Sequence, residues 1–110
     1  MAKAVYNEQQ IAKIREAGKV VSECLALART LLVPGGTTRQ VEQAVADLIR
    51  KRGGTSPFFG YQLRGKQPFP CAICASVNDV VVHGVSDDRP LVEGDLVSID
   101  CGVRKDGFIA

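Results

Sequence analysis

A chain of 110 residues holds one domain with a modest core, since a chain of this size buries roughly 65% of the surface its unfolded form exposes. Its apolar share of 45% and charged share of 24% are those of ordinary globular proteins, and no apolar run approaches the roughly 20 residues a bilayer span needs. A net charge of +2 is too small to argue for nucleic-acid or membrane partners.

The stretch from Met1 to Arg15 is polar and charged where a signal peptide would carry its apolar segment. That makes the cytosol the default compartment and the four cysteines free thiols. Charge is unevenly spread. Residues 1–70 hold 11 Lys/Arg against 5 Asp/Glu, and residues 71–110 hold 3 against 7. The acidic C-terminal segment suits a cation, either a metal or a peptide amine; acidic turns that simply face water read equally well.

A helix over about 8–33 starts at Asn7, with Gln10 completing a capping-box spacing. Ile11, Ile14, Val21, Leu25, Ala28 and Leu32 form its apolar stripe, and Gly18 on that stripe would let another backbone come close. Pro34-Gly35-Gly36 ends it. Thr37 and Gln40 repeat the capping-box spacing at the head of a second helix, about 38–52, whose stripe is Val41, Ala44, Val45, Leu48 and Ile49. Arg50, Lys51 and Arg52 complement the negative end of its dipole, so this basic triplet reads as helix capping rather than nucleic-acid binding.

Residues 55–70 read as a loop broken by Pro57, Gly60, Gly65, Pro68 and Pro70. Strands are expected over about 71–77, 80–83, 96–103 and 108–110, with turns at Asn78-Asp79, Glu93-Gly94-Asp95 and a hairpin at Lys105-Asp106-Gly107. Two helices followed by antiparallel strands make an α+β layer structure. The last strand has no partner after it, which predicts a truncated sequence.

Several residues carry possible chemistry. Along the strand through residue 100, Val97, Ile99, Cys101 and Val103 share one face, and Ser98, Asp100 and Gly102 share the other. Asp100 is thus a mid-strand carboxylate between small residues. Buried, it needs a positive partner, hydrogen bonds or a metal; exposed, it is a plain edge residue. His83 is the only histidine and follows three valines, as a polar group delivered by a rigid strand, able to donate to a carbonyl or shuttle a proton. A structural, hydrogen-bonded histidine is the other reading. Cys71-Ala-Ile-Cys74 has zinc-knuckle or redox-pair spacing, but no second pair completes a zinc site and no helix N-terminus activates a thiol. Both are read as packing residues, with Cys74 lining a pocket, and Cys24 and Cys101 as core thiols. Four of the six aromatic rings, Phe58, Phe59, Tyr61 and Phe69, fall in the 55–70 loop, which either tucks in as core or walls an apolar pocket.

Taken together, these segments resemble type I methionine aminopeptidases. The residues that carry the resemblance are Ile11-x-x-Ile-Arg-Glu-Ala-Gly18, Val33-Pro-Gly35, Phe59-Gly-Tyr61, Phe69-Pro, Cys74-x-Ser76-x-Asn78-x-x-Val81-x-His83-Gly84, Asp87-Asp88-Arg89-Pro90-Leu91, Gly94-Asp95 and Ile99-Asp100. The resemblance implies the N-terminal half of a pita-bread fold, in which two pseudo-symmetric halves enclose two divalent metal ions (cobalt, manganese, iron or zinc). It implies removal of the initiator methionine from nascent polypeptides, with the ribosome as a possible neighbour. On this pattern Asp100 is the first of five metal ligands, two Asp, one His and two Glu. The second Asp would fall at position 111, one past the last residue, and the others later still. His83 would bind and polarise the substrate near the scissile bond. Phe58, Tyr61, Phe69 and Cys74 would line the methionine side-chain pocket.

Two departures from the family pattern stand out. His83-Gly84-Val85-Ser86 lacks the usual proline at its fourth place, and Gln62 to Gln67 lengthens the link between the loop aromatics. The expected outcome is a metallo-aminopeptidase sequence whose 110 residues alone bind metal poorly and turn over negligibly. A metal-free pita-bread binding module, and a half-domain that self-associates or pairs with a missing C-terminal half, are the alternatives.

Overall fold

The structure, a computed structural model, describes residues 5–110; the first four positions of the amino-terminal polar stretch lie outside it. Helix α1 spans Glu8–Leu31 and helix α2 spans Thr38–Lys51. Both capping boxes form. The Asn7 side chain accepts from Gln10 N at 2.9 Å while Gln10 Oε1 accepts from Asn7 N at 2.9 Å, and Thr37 and Gln40 make the same exchange at 3.2 and 3.1 Å. Arg50 pairs with Asp47, and Arg52 reaches Glu23 of α1 at 2.8 Å, so two of the three basic residues at the end of α2 serve helix ends and helix contacts.

The core stripe of α1 differs from the expected one. Of the expected positions Ala28 is buried and Val21 and Leu32 pack against the core, but Ile11 and Leu25 are 42% and 43% exposed, and Ala17, Val20 and Cys24 are the other buried ones. The stripe is rotated because the helix presents its small side chains where α2 and the sheet press closest. The close backbone approach expected at Gly18 is not seen: a Cβ placed there would meet only the Ala110 side chain, at an ordinary contact distance of 3.9 Å. In α2 the fully buried positions are Thr38, Val41, Val45 and Ile49, four residues of one face.

Strands β1 (Ile73–Val77) and β2 (Val97–Cys101) pair antiparallel, Cys74 opposite Asp100 and Ser76 opposite Ser98. Strands β3 (Arg104–Lys105) and β4 (Phe108–Ile109) form a second, two-stranded sheet. Their turn carries positive φ at both Asp106 (51°) and Gly107 (82°), the two-residue hairpin geometry that matches strand twist. Alternation divides the first sheet cleanly. Ile73, Ala75, Ile99 and Cys101 face the helices and join Val20, Cys24, Ala28, Val41, Val45, Ile49 and Val103 in the core. Cys74, Ser76 and Asp100 face the other way.

Three strand expectations need correction. The segment 80–83 is not a strand: Val80, Val81 and Val82 are 46%, 86% and 62% exposed and take no part in any ladder. Valine favours strands only where a neighbour offers hydrogen bonds and packing, and the turn at Asn78 (φ 56°) carries this run away from the sheet. The expected strand over 96–103 shortens to β2, Val97–Cys101, because beyond Gly102 the chain leaves β1: Val103 pairs with Ala110, and Arg104 with Thr55. Strand β1 begins at Ile73 rather than 71, since the N–H groups of Ala72 and Ile73 donate to the Glu42 carboxylate of α2 at 2.8 and 3.1 Å.

Candidate functional site

The loop between α2 and β1 is tied at both ends. Thr55 exchanges backbone hydrogen bonds with Arg104 (2.9 and 2.8 Å), and the Ser56 hydroxyl donates to the Ala72 carbonyl at 2.6 Å while accepting from Phe58 N at 3.1 Å. Within it, Gly60 N donates to the Phe69 carbonyl and Phe69 N to the Tyr61 carbonyl, both at 2.8 Å. These contacts stand Phe58, Tyr61 and Phe69 as a wall above the non-core face of the first sheet, while Phe59, 67% exposed, does not line the cleft. The wall stays open: Phe58 and Phe69 are half-buried, and Tyr61 remains 61% exposed. Of the two readings of this loop, pocket wall describes it and core does not.

Wall, sheet and hairpin enclose a cleft of about 610 Å³. Phe58, Tyr61, Phe69, Cys74, His83 and Asp100 all line it. Residues 42 positions apart in sequence, Phe58 to Asp100, thus meet because the loop folds back over β1 and β2. Gly102 makes the closure possible, since a Cβ there would stand 3.1 Å from Pro57 and 3.5 Å from the Phe58 ring. The cleft also takes Leu63, Lys66, Gln67, Val85, Arg104 and Ile109, which the sequence reading did not single out. Leu63, Lys66 and Gln67 come from the lengthened segment, whose length was the signal for them. Arg104 and Ile109 are register partners in the β3–β4 hairpin, a pairing that composition could not supply.

Electrostatically the cleft is mixed, with the Asp100 carboxylate, two cations at Lys66 and Arg104, and the His83 imidazole. Cys74 is buried beside Asp100. Burial first, and the carboxylate opposite it second, push its thiol above the ordinary value of 9.0, so it offers a neutral, polarisable surface rather than a nucleophile. The expected divergence of Cys71 and Cys74 agrees with their places in the chain: both are buried, and only Cys74 lines the cleft. Cys24 lies in the core, and Cys101, half-buried against it, has its thiol pushed up to about 12 by burial and by the Cys24 neighbour. Among the described residues no three His, Cys, Asp or Glu side chains gather as a metal site. Asp100 suits one hard oxygen position for a divalent ion, and the donors present do not make up a site for two.

The family profile described as metallopeptidase family M24 matches residues 12–110. The chain belongs to metallopeptidase family M24. Among its relatives are methionine aminopeptidases of Clostridium perfringens, 40% identical over 102 residues, and of Aquifex aeolicus, 39% identical over 114. The first alignment covers 93% of this chain and 39% of the relative, the second 98% and 43%. Two crystal structures of methionine aminopeptidases are similar to this fold: that from Thermotoga maritima (TM-score 0.86, 34% identity) and that from Rickettsia prowazekii (TM-score 0.89, 33% identity). Each is matched over 99% of this chain and 42% of its own. The M24 chain therefore spans about 40% of the length of the relatives it matches, and its two helices and antiparallel strands are part of a pita-bread fold. No helix among the described residues is long and apolar enough to cross a membrane.

Proposed function

We propose that the protein carrying this chain removes the initiator methionine from nascent polypeptides in the cytosol, and that these residues form one wall of its substrate cleft. The observation that carries the reading is the convergence of Phe58, Tyr61, Phe69, Cys74, His83 and Asp100 on a single cleft. An unbranched thioether side chain suits a pocket of aromatic rings and a neutral sulfur, where sulfur–ring contacts are favourable. His83 at the cleft would donate to the substrate carbonyl next to the scissile bond, fixing the peptide against the wall. Asp100 would provide one oxygen ligand. Two divalent ions of the cobalt, manganese, iron or zinc class, when bound, supply water activation and carbonyl polarisation in such a hydrolase.

The hairpin supports this assignment of Asp100. In the β3–β4 register Arg104 faces Ile109 and Val103 faces Ala110, so a strand continuing past Ala110 would set its next residue opposite Gly102. That place is on the Asp100 face, where the resemblance puts a second Asp.

The metal part of the reading is tested by methionine release from a Met-Ala peptide with added cobalt or manganese. The 110 residues alone, with one carboxylate ligand, are expected to release none above background. Turnover at the rate of a whole enzyme would overturn the assignment of Asp100 as one member of a larger ligand set.

A further inference from the structure

His83 is held at φ 58°, a left-handed conformation uncommon for residues with a side chain, though histidine enters it more readily than most. Such a conformation persists where the surroundings over-determine it. Two contacts with β1 do so here. Ala75 N donates to the Gly84 carbonyl at 3.0 Å, and Gly84 N donates to the Ser76 hydroxyl at 3.0 Å. Gly84 and Ser76 are both buried. The approach leaves no room for a side chain, since a Cβ on Gly84 would stand 2.1 Å from the Ala75 carbonyl oxygen. Farther on, the chain is tied to the head of α2, where Asp87 N donates to Thr38 Oγ1 at 2.9 Å and Arg39 N donates to the Asp87 carbonyl at 3.0 Å. The segment from His83 to Asp87 is thus fastened at both ends, with the histidine lining the cleft.

We propose that Ser76 is a positioning residue for His83. By taking the Gly84 N–H, its hydroxyl holds the preceding residue in the left-handed conformation and so sets where the imidazole meets a bound peptide. Ser76 lies two residues from Cys74 on the same face of β1, beneath the cleft rather than in the core, so no core contact requires a hydroxyl there. Alanine would preserve the strand and leave the Gly84 N–H buried without an acceptor, free to be satisfied only if the segment shifts. The inference rests on the reading of His83 as a substrate-facing group.

Nuclear magnetic resonance on the whole 110-residue chain tests it, because a single histidine gives an unambiguous ring signal. In the unaltered protein the Gly84 amide is expected to resist exchange, and His83 to show the strong intraresidue HN–Hα NOE of a positive φ. Ser76→Ala should lower that protection by about tenfold or more and weaken the NOE, while the β1–β2 cross-strand NOEs persist. It should also weaken the response of the His83 ring to a Met-Ala peptide by roughly threefold to tenfold. Ser76→Thr, which keeps the hydroxyl, should restore all three. A freely exchanging Gly84 amide in the unaltered protein, or an unchanged His83 NOE in Ser76→Ala, would overturn the proposal. If Ser76→Ala fails to fold, the Gly84 protection and the His83 NOE of the unaltered protein and of Ser76→Thr decide it: both present in both proteins supports the clamp, and loss of either overturns it. The substrate reading fails separately, through a Met-Ala peptide that never moves the His83 ring, which would remove the positioning role even with the clamp intact.

Discussion

The Ser86 hydroxyl is buried, its residue 4% exposed, and has no hydrogen-bond partner among the described residues. It stands where the family pattern usually has proline, and an unsatisfied buried hydroxyl costs about 1–3 kcal/mol. Ser86→Ala is therefore expected to raise stability by about 1 kcal/mol in urea denaturation, and a clear loss would show that the hydroxyl is satisfied in solution. The thiols make a second residue-scale prediction. Burial pushes Cys24, Cys74 and Cys101 upward, the last from 9.0 to about 12. A pKa raised in the folded state contributes stability that is complete below the unfolded value and lost as pH rises toward the folded one. The Tm should fall between about pH 9 and about pH 12, and Cys101→Ala should flatten that fall; a Tm indifferent to this window would contradict the burial of these thiols. At this scale Asp100 and His83 were legible as candidates, because a mid-strand carboxylate between small residues and a lone histidine before glycine are visible in one line of sequence. Those features fit an edge carboxylate and a structural histidine equally, and the family resemblance singled them out. The left-handed backbone of His83 was not legible, because it arises from Gly84 meeting Ala75 and Ser76, which only tertiary packing brings together.

Among the elements, the helices were the most legible and the valine run the least. Capping boxes and apolar periodicity act within a few residues, so they mark α1 and α2 without knowledge of the rest of the fold. The rotation of the α1 stripe toward Ala17, Val20, Cys24 and Ala28 depends on which partner presses against it, and periodicity places a face without saying what covers it. Val80 to Val82 has strand composition and no ladder, because the free edge of β1 is taken by Gly84. The start of β1 depends likewise on a distant group, the Glu42 carboxylate that accepts from Ala72 and Ile73. Removing it leaves two backbone donors at a buried strand end, so Glu42→Ala should destabilise the chain by about 1–3 kcal/mol. The effect is expected to appear as faster amide exchange at Ala72 and Ile73 than at β2. Uniform exchange along β1, equal to that of the unaltered protein, would mean the carboxylate does not organise the strand.

Across the whole molecule, the layers form a slab of 45 × 34 × 21 Å with a radius of gyration of 14.9 Å, more open than the roughly 13 Å of a compact domain of this length. The helices cover one face of the first sheet, and the other face forms the floor of the cleft. That division follows from strand alternation, and it is why five of the six residues named for the site in the sequence, all but the loop-borne His83, come either from the sheet face turned away from the helices or from the aromatic loop above it. The lengthened loop segment was visible in the sequence as a departure in length, but its place at the cleft, like that of the hairpin walls, was not legible, since neither has an alternation that points there. The family of the chain rests on its match over residues 12–110, and the proposal of methionine removal rests on what this cleft can hold. The most direct measurement is a chemical-shift titration of the 110-residue chain with two peptides of equal charge, Met-Ala-Ser and Ala-Met-Ser. We predict that Met-Ala-Ser selectively shifts Phe58, Tyr61, Phe69, Cys74 and the His83 ring and that His83→Ala weakens this response. Equal shifts from both peptides, or shifts confined to residues outside the cleft, would contradict the assignment of this cleft to an N-terminal methionine.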